Sequence, residues 1–196
     1  HKATKEPGFD DSWELIDPHS GEVKNVVSAR TLWVKLLQNR METGEPYIMF
    51  EDAVNADLPD FQKEKGLRVH HSNLCSEITL ATNDERTAVC CLSSVNLEYY
   101  DEWKKVPAFI PDLIRMLDNV LEYFIQKAPK DMKRAKFSAL RERSLGLGAM
   151  GFHAYLQKNS VPFESAIASA VNEEMFQHIK SDAQKETERL AVERGA

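Results

Sequence analysis

The chain has 196 residues, 42% of them hydrophobic and 29% charged, which excludes an intrinsically disordered chain and fits one globular domain or a large part of one. Its formal net charge of −6 argues against a nucleic-acid-binding surface, and no apolar run approaches the ~20 residues that span a membrane. Three cysteines do not make a disulfide framework, and the polar first residues do not resemble a signal peptide, so we expect a cytoplasmic protein with reduced thiols.

The first third of the chain predicts a turn, a helix and a strand. Residues 1–27 are expected to be loop with a short strand or turn. Ser28 suits the N-cap of a helix that Gly44 ends, and residues 46–50 (PYIMF) predict a buried strand before a polar loop and short helix that end at Gly66. The apolar residues at helical spacing in the first helix are Leu32, Leu36, Leu37 and Met41.

The rest of the chain changes from extended segments to helices. Residues 67–80 are expected to be mostly extended, and residues 87–97 form a second extended apolar run. A helix with a wide apolar face is predicted from Pro111 and ends before Pro129. A strand or turn that opens a helix is predicted for SLGLGAMGFHAYLQK. A long amphipathic helix is predicted from Ser165 and continues into ERGA without a closing element. We therefore expect the chain to be a segment of a longer protein.

Asn73, Cys75 and Glu77 are the first candidates for a site. In extended backbone, alternate side chains point the same way, so an amide, a thiol and a carboxylate would line one edge of a pocket. A carboxylate can take a proton from a hydroxyl, an amide can hold a second one, and a thiol can act as nucleophile or hydrogen-atom carrier. The spacing alone also fits a turn at Ser72 and Asn73, with Cys75 in the core and Glu77 in water.

Cys90 and Cys91 are adjacent, so a strand would direct them to opposite faces and at most one would share a pocket with Cys75. On spacing alone they also fit two buried residues of an apolar strand. No metal site is expected near His70 and His71, because neither a C-x-x-C nor an H-x-x-x-H pair supports them.

The segment GLGAMG satisfies the G-x-G-x-x-G pattern with Gly146, Gly148 and Gly151. The dinucleotide fingerprint needs an apolar strand just before it and an acidic strand end ~20 residues later. RERSL precedes the glycines here, and the downstream region is predicted to be helical. A tight turn into a closely packed helix is therefore the better interpretation.

Several segments closely resemble the catalytic large (alpha) subunit of ribonucleotide reductase. They are SNLCSEI, AVCCLSSVNL and RERSLGLGAMGFHAYL, together with SARTLWVKLLQNRMETGEPYIMF upstream. The resemblance covers essentially the whole chain. It implies an α/β fold, a partial segment of the ten-stranded radical-enzyme α/β barrel with a finger loop, helix-rich in its C-terminal half.

The resemblance also implies an organisation within one catalytic barrel domain, residues 1–196. Residues 1–66 would end the first half-barrel, and residues 67–86 would be the finger loop region with Cys75 at its tip. Residues 87–196 would start the second half-barrel with its helices. The run around Cys90 would be a barrel strand.

The chemistry that the resemblance implies gives each site residue a role. Cys75 would become a transient thiyl radical that abstracts the ribose 3′ hydrogen, and Glu77 would be the general base on the 3′ hydroxyl. Asn73 would bind and orient the substrate, with Ser72 as a further substrate-binding residue. A cysteine pair would supply the electrons, and the family pattern Ala-x-Cys-x-Leu-Ser selects Cys90 as one member and leaves Cys91 as a bystander.

The same resemblance implies partners and cofactors. This segment would bind no cofactor itself, whereas the parent enzyme would need a radical source, either a metal-containing small subunit or adenosylcobalamin, and a thioredoxin- or glutaredoxin-type reductant. The expected partners are a ribonucleoside di- or triphosphate, the rest of the large subunit, the radical-generating small subunit and a second copy in a homodimer. Because no second redox cysteine is identifiable upstream of Cys75, the isolated chain is expected not to turn over.

Two other functions stay open from the residues alone. Cys75 with His70 or His71 would suit a thiol-dependent hydrolase or transferase, which predicts a lowered thiol pKa. A non-catalytic half of a split protein would instead be recovered with a second chain.

Overall fold

The computed structural model describes Gly8 and residues 10–195. Strands β1 (Ser12–Ile16) and β2 (Val23–Ser28) form an antiparallel hairpin. Asp17 holds its turn, because the side-chain carboxylate accepts hydrogen bonds from the backbone N–H groups of His19 and Ser20, both at 2.9 Å. The expected short strand or turn is confirmed here, whereas the part of that prediction on residues 1–7 and 9 lies outside the described residues.

Helix α1 (Ala29–Thr43) has the caps that the sequence predicts. Ser28 Oγ accepts a hydrogen bond from the Thr31 backbone N–H at 3.0 Å. Gly44 ends the helix with a φ of 80°, and its N–H donates to the Arg40 carbonyl at 2.9 Å. Both predicted ends of the helix are confirmed.

The buried strand predicted at residues 46–50 is wrong. Residues 47–50 form no strand, and Tyr47 and Phe50 are more than half exposed. A strand needs a neighbour that pairs with its backbone, and no described strand lies beside this segment. The polar loop and short helix that were expected next are two short helices, α2 (Glu51–Ala56) and α3 (Asp60–Glu64).

A parallel pair of strands lies at the centre of the second half. Strand β3 (Cys91–Asn96) pairs in register with β4 (Leu145–Met150), so that Cys91 is opposite Leu145. A parallel pair needs a long crossover, which helices α4 (Tyr100–Trp103), α5 (Phe109–Lys127) and α6 (Lys133–Glu142) provide. Strand β3 covers only part of the predicted extended run 87–97, and helix α6 was not predicted from the sequence.

Helices α7 (Phe152–Lys158) and α8 (Ala166–Arg194) complete the described chain, and α8 packs along α5. The strand or turn that opens a helix and the long C-terminal helix are both confirmed. The main core lies between the parallel strands and these helices, and its buried members are Val95, Leu97, Tyr100, Trp103, Ile110, Ile114, Met175, Ile179 and Leu190.

Two carboxylates are buried in the helical layer, and both are paired. Asp118 accepts hydrogen bonds from Arg143, at 2.9 Å, and from Arg194. Glu186 pairs with Arg115 and Arg189. Buried charges need such partners, so these ion pairs fix how α5, α6 and α8 dock on each other.

The described residues form a mixed α/β structure that is rich in helix in its second half, as the sequence predicts. They contain two separate two-stranded sheets, so the complete ten-stranded barrel stays a prediction. None of the described helices is both long and apolar enough to cross a lipid bilayer.

Candidate active site

Cys75 lies in a tight turn rather than on a strand. The Ser76 N–H donates to the Asn73 carbonyl at 3.1 Å, and Ser76 has a φ of 67°. The Asn73 N–H donates to the Ile78 carbonyl at 3.2 Å, while the Asn73 side-chain oxygen accepts from the Ile78 N–H at 3.0 Å. We call residues 73–78 the Cys75 turn.

The expectation that Asn73, Cys75 and Glu77 share one face of an extended segment is therefore wrong. The physical reason is local, because the Asn73 amide oxygen captures a backbone N–H and stabilises a reversal of the chain. The competing interpretation was right about the turn and about Glu77, which is exposed. It was wrong about Cys75, which is also exposed instead of packed in the core.

A cavity of about 240 Å³ lies between the Cys75 turn and the residues that lead into β3. It brings together three predicted site residues, Ser72, Asn73 and Cys90. Cys75 and Glu77 are not among the residues that form its wall. The remaining lining residues are His71, Ile78, Leu80, Thr82, Thr87, Ala88 and Leu92.

Cys90 and Cys91 point to different environments, as adjacent residues of an extended segment should. Cys90 lines the cavity, whereas Cys91 packs against the buried cluster formed by Leu121, Ile125 and Ala139. Burial raises the pKa of the Cys90 thiol, and the Cys91 thiol and the Glu77 carboxylate raise that pKa further. Burial, followed by the charge of Asp118, raises the pKa of Cys91. Of the two thiols, only Cys90 therefore lines the cavity and is influenced by Glu77.

These environments predict a labelling order. Iodoacetamide should modify Cys75 before Cys90, because Cys75 is exposed and Cys90 is half-buried. The thiolate is the reactive form, so the raised pKa of Cys90 moves its alkylation to higher pH than that of an unperturbed thiol. Mass spectrometry over a pH series measures the labelling of each cysteine separately, since trypsin cleaves after Arg86, between Cys75 and Cys90. Faster labelling of Cys90 at neutral pH would contradict the burial described here.

Two residues that anchor the site were not predicted from the sequence. Arg86 forms an ion pair with Glu142 of α6, and its guanidinium lies 5.3 Å from the centre of the Phe137 ring. This contact ties the segment after the Cys75 turn to the helical layer. The second is Leu92, which lines the cavity two residues after Cys90. Alternation along a strand would have indicated Leu92, whereas no sequence signal links Arg86 with Glu142.

The glycine-rich segment is a strand with a helix after it. Gly146 and Gly148 lie within β4, and Gly151 caps α7 with a φ of 79°. The dinucleotide fingerprint places its glycines after a strand, so this arrangement does not fit it. Across the described residues, no group of three His, Cys, Asp or Glu side chains is arranged to hold a metal ion.

The comparisons with known proteins agree on one family. The family model for the ribonucleotide reductase barrel domain matches residues 2–196. The ribonucleoside-diphosphate reductase large subunit of Invertebrate iridescent virus 3 is 49% identical over 183 residues, covering 93% of this chain and 29% of that protein. That of Invertebrate iridescent virus 6 is 54% identical over 107 residues, covering 55% of this chain and 11% of that protein.

A solved structure gives the same result. The class Id ribonucleotide reductase alpha subunit of Actinobacillus ureae is 44% identical, with a TM-score of 0.80, covering 86% of this chain and 32% of that chain. This chain thus spans about a third or less of the length of the proteins it matches. With the family model matching nearly every residue, this chain belongs to the ribonucleotide reductase barrel-domain family.

Proposed function

We propose that this chain is the part of a ribonucleotide reductase large subunit that carries its radical cysteine and one of its two reducing thiols, and that the whole protein reduces ribonucleotides to deoxyribonucleotides. The observation that carries the proposal is the cavity that joins Ser72 and Asn73 of the turn segment to the Cys90 thiol. Asn73 also belongs to the turn that carries the exposed Cys75, which supports a substrate held between two thiols with different environments.

The proposed roles follow the chemistry of each group. Cys75, as a thiyl radical, takes the 3′ hydrogen atom, and Glu77 takes the proton of the 3′ hydroxyl. The C2′–O bond breaks, and the 2′ oxygen leaves as water. Cys90 and a second thiol supply two electrons and two hydrogens, one as the proton of the departing water and one for the 2′ carbon, and they become a disulfide. Glu77 returns its proton to the 3′ oxygen, and Cys75 finally returns its hydrogen to the 3′ carbon and is again a thiyl radical. Asn73 and Ser72 bind the substrate.

The environment of Cys90 supports its role as a reductant. A raised pKa keeps the thiol protonated at neutral pH, so it holds the hydrogen that reduction consumes. The second thiol belongs to another part of the protein, because Cys91 faces the helical layer. A thioredoxin- or glutaredoxin-type protein then restores the pair by thiol–disulfide exchange.

The proposal includes the partners of the whole protein. The substrate is a ribonucleoside di- or triphosphate, and the full-length chain forms a homodimer. The radical comes from a metal-containing small subunit or from adenosylcobalamin. A radical-generating small subunit is favoured by the names of the matched relatives, which are large subunits.

Glu77→Gln in the full-length protein tests the proposal. The amide keeps the size of the side chain but cannot accept the proton, so we expect kcat to fall by about 10²–10⁴-fold. Glu85→Gln is the matched control, because Glu85 is also exposed and lies in the next turn, closed by Asn83 and Arg86. The Glu77 carboxylate raises the pKa of Cys90, whereas Glu85 is not among the groups that shift it. Steady-state assays with a ribonucleoside diphosphate measure both variants. Equal activities would remove Glu77 from the mechanism.

A further inference from the structure

Gly146 lies where the parts of the candidate site meet. It is opposite Leu92 in the parallel pair of β3 and β4. A Cβ atom at this position would overlap the Leu92 side chain, and it would lie 3.5 Å from Cys90 Sγ and 3.8 Å from Ile78 Cδ1. Leu92 can pack beside the Cys90 thiol only because position 146 has no side chain.

The neighbours of Gly146 belong to the two segments that carry the proposed thiols. Ile78 forms two hydrogen bonds with Asn73 and so closes the base of the Cys75 turn. Leu92 lies on the same side as Cys90, and both line the cavity. A group that displaces Leu92 would therefore press on the Cys90 thiol and on the base of the turn together.

We propose that Gly146 is a positioning residue for this reaction, an inference that rests on the function proposed above. Its bare backbone lets Leu92 and Ile78 close around Cys90 and so fixes the direction of the thiol relative to the Cys75 turn. Gly146 acts through these side chains rather than by contact with the substrate.

Gly146→Ala in the full-length protein is the test. We expect kcat to fall about 100-fold, because a displacement of about 1 Å at a reacting group can cost on the order of 10²-fold in rate. KM should change less than about threefold, because the atoms nearest to a Cβ at position 146 belong to Leu92, Cys90 and Ile78 and not to Ser72 or Asn73, the proposed substrate-binding residues. The pH at which Cys90 becomes alkylated should shift as well, which a change in overall stability alone would not produce.

Gly148→Ala is the matched control. Gly148 lies on the same face of the same strand, two residues farther along, and its added Cβ would meet the Ser94 hydroxyl at 3.0 Å and would be more than 4 Å from Cys90. It should keep kcat and the alkylation profile of Cys90 close to those of the wild type. Equal losses in the two variants would mean that β4 is merely strained, and the proposal would be overturned.

A rescue variant covers the case in which Gly146→Ala folds poorly. Combining it with Leu92→Val removes the overlapping Cδ2 atom and keeps an apolar side chain beside Cys90. The double variant should therefore regain folding and at least about tenfold in kcat over the single variant. A double variant no better than the single one would overturn the proposal. If Cys90→Ser is fully active, the proposed function itself fails; if Cys90→Ser is inactive and Gly146→Ala is normal, only the positioning role fails.

Discussion

Replacing Cys75 by serine in the full-length protein is expected to lower ribonucleotide reduction by more than about 10³-fold, the scale on which loss of a covalently reacting group acts. Serine keeps the size of the side chain, but its O–H bond is too strong for the radical source to remove the hydrogen atom, so no radical forms at position 75 to act on the ribose. Cys75 is exposed in a turn, so the free energy of unfolding should change by no more than about 0.5 kcal/mol. A reduction assay with dithiothreitol and the appropriate radical source measures the effect.

Cys91→Ser is the control for this variant. The Cys91 thiol packs with Leu121 and Ile125 of α5, on the side of the strand away from the cavity. Its replacement should cost stability because a hydroxyl enters an apolar cluster, while kcat stays within about fivefold of the wild-type value. Retained activity in Cys75→Ser would contradict the thiyl assignment, whereas a wild-type protein that reduces no ribonucleotide would favour the thiol-dependent hydrolase or the non-catalytic half of a split protein.

The second large effect is expected for Cys90→Ser. A hydroxyl cannot form a disulfide, so one of the two reducing electrons has no source. Turnover should therefore fall by more than about 10³-fold, which corresponds to an activation barrier raised by roughly 4 kcal/mol. Substrate binding should persist, because Ser72 and Asn73 remain in the cavity wall. Steady-state turnover and equilibrium binding of the substrate together separate these effects. Normal turnover would show that the electrons enter through another group.

Local signals in the sequence predicted the helices well. Ser28 and Gly44 bound α1 through contacts within a few residues, so the sequence alone contains the information. The strand predicted at residues 46–50 failed because pairing depends on a neighbour elsewhere in the chain. Helix α6 was not predicted from the sequence. Its residue Glu142 forms the ion pair with Arg86 that holds the segment after the Cys75 turn.

The candidate site was predictable in its residue types but not in its geometry. The alternation rule predicted a shared face for Asn73, Cys75 and Glu77, whereas the Asn73 side chain closes a turn instead. The same rule correctly predicted that Cys90 and Cys91 point to opposite sides, one to the cavity and the other to the helical layer. The closeness of position 146 to the Cys90 thiol depends on the register of two strands more than 50 residues apart. No local sequence pattern contains this register.

Peptide mapping after a single turnover identifies the cysteine that supplies the reducing electrons. The full-length, fully reduced protein is given its substrate and radical source without an external reductant, then unfolded in denaturant that contains iodoacetamide, and digested. We predict about one deoxyribonucleotide per active site, with Cys90 in a disulfide and Cys75 and Cys91 alkylated as free thiols. Product formation that leaves Cys90 alkylated, or that places Cys91 in the disulfide, would contradict the account.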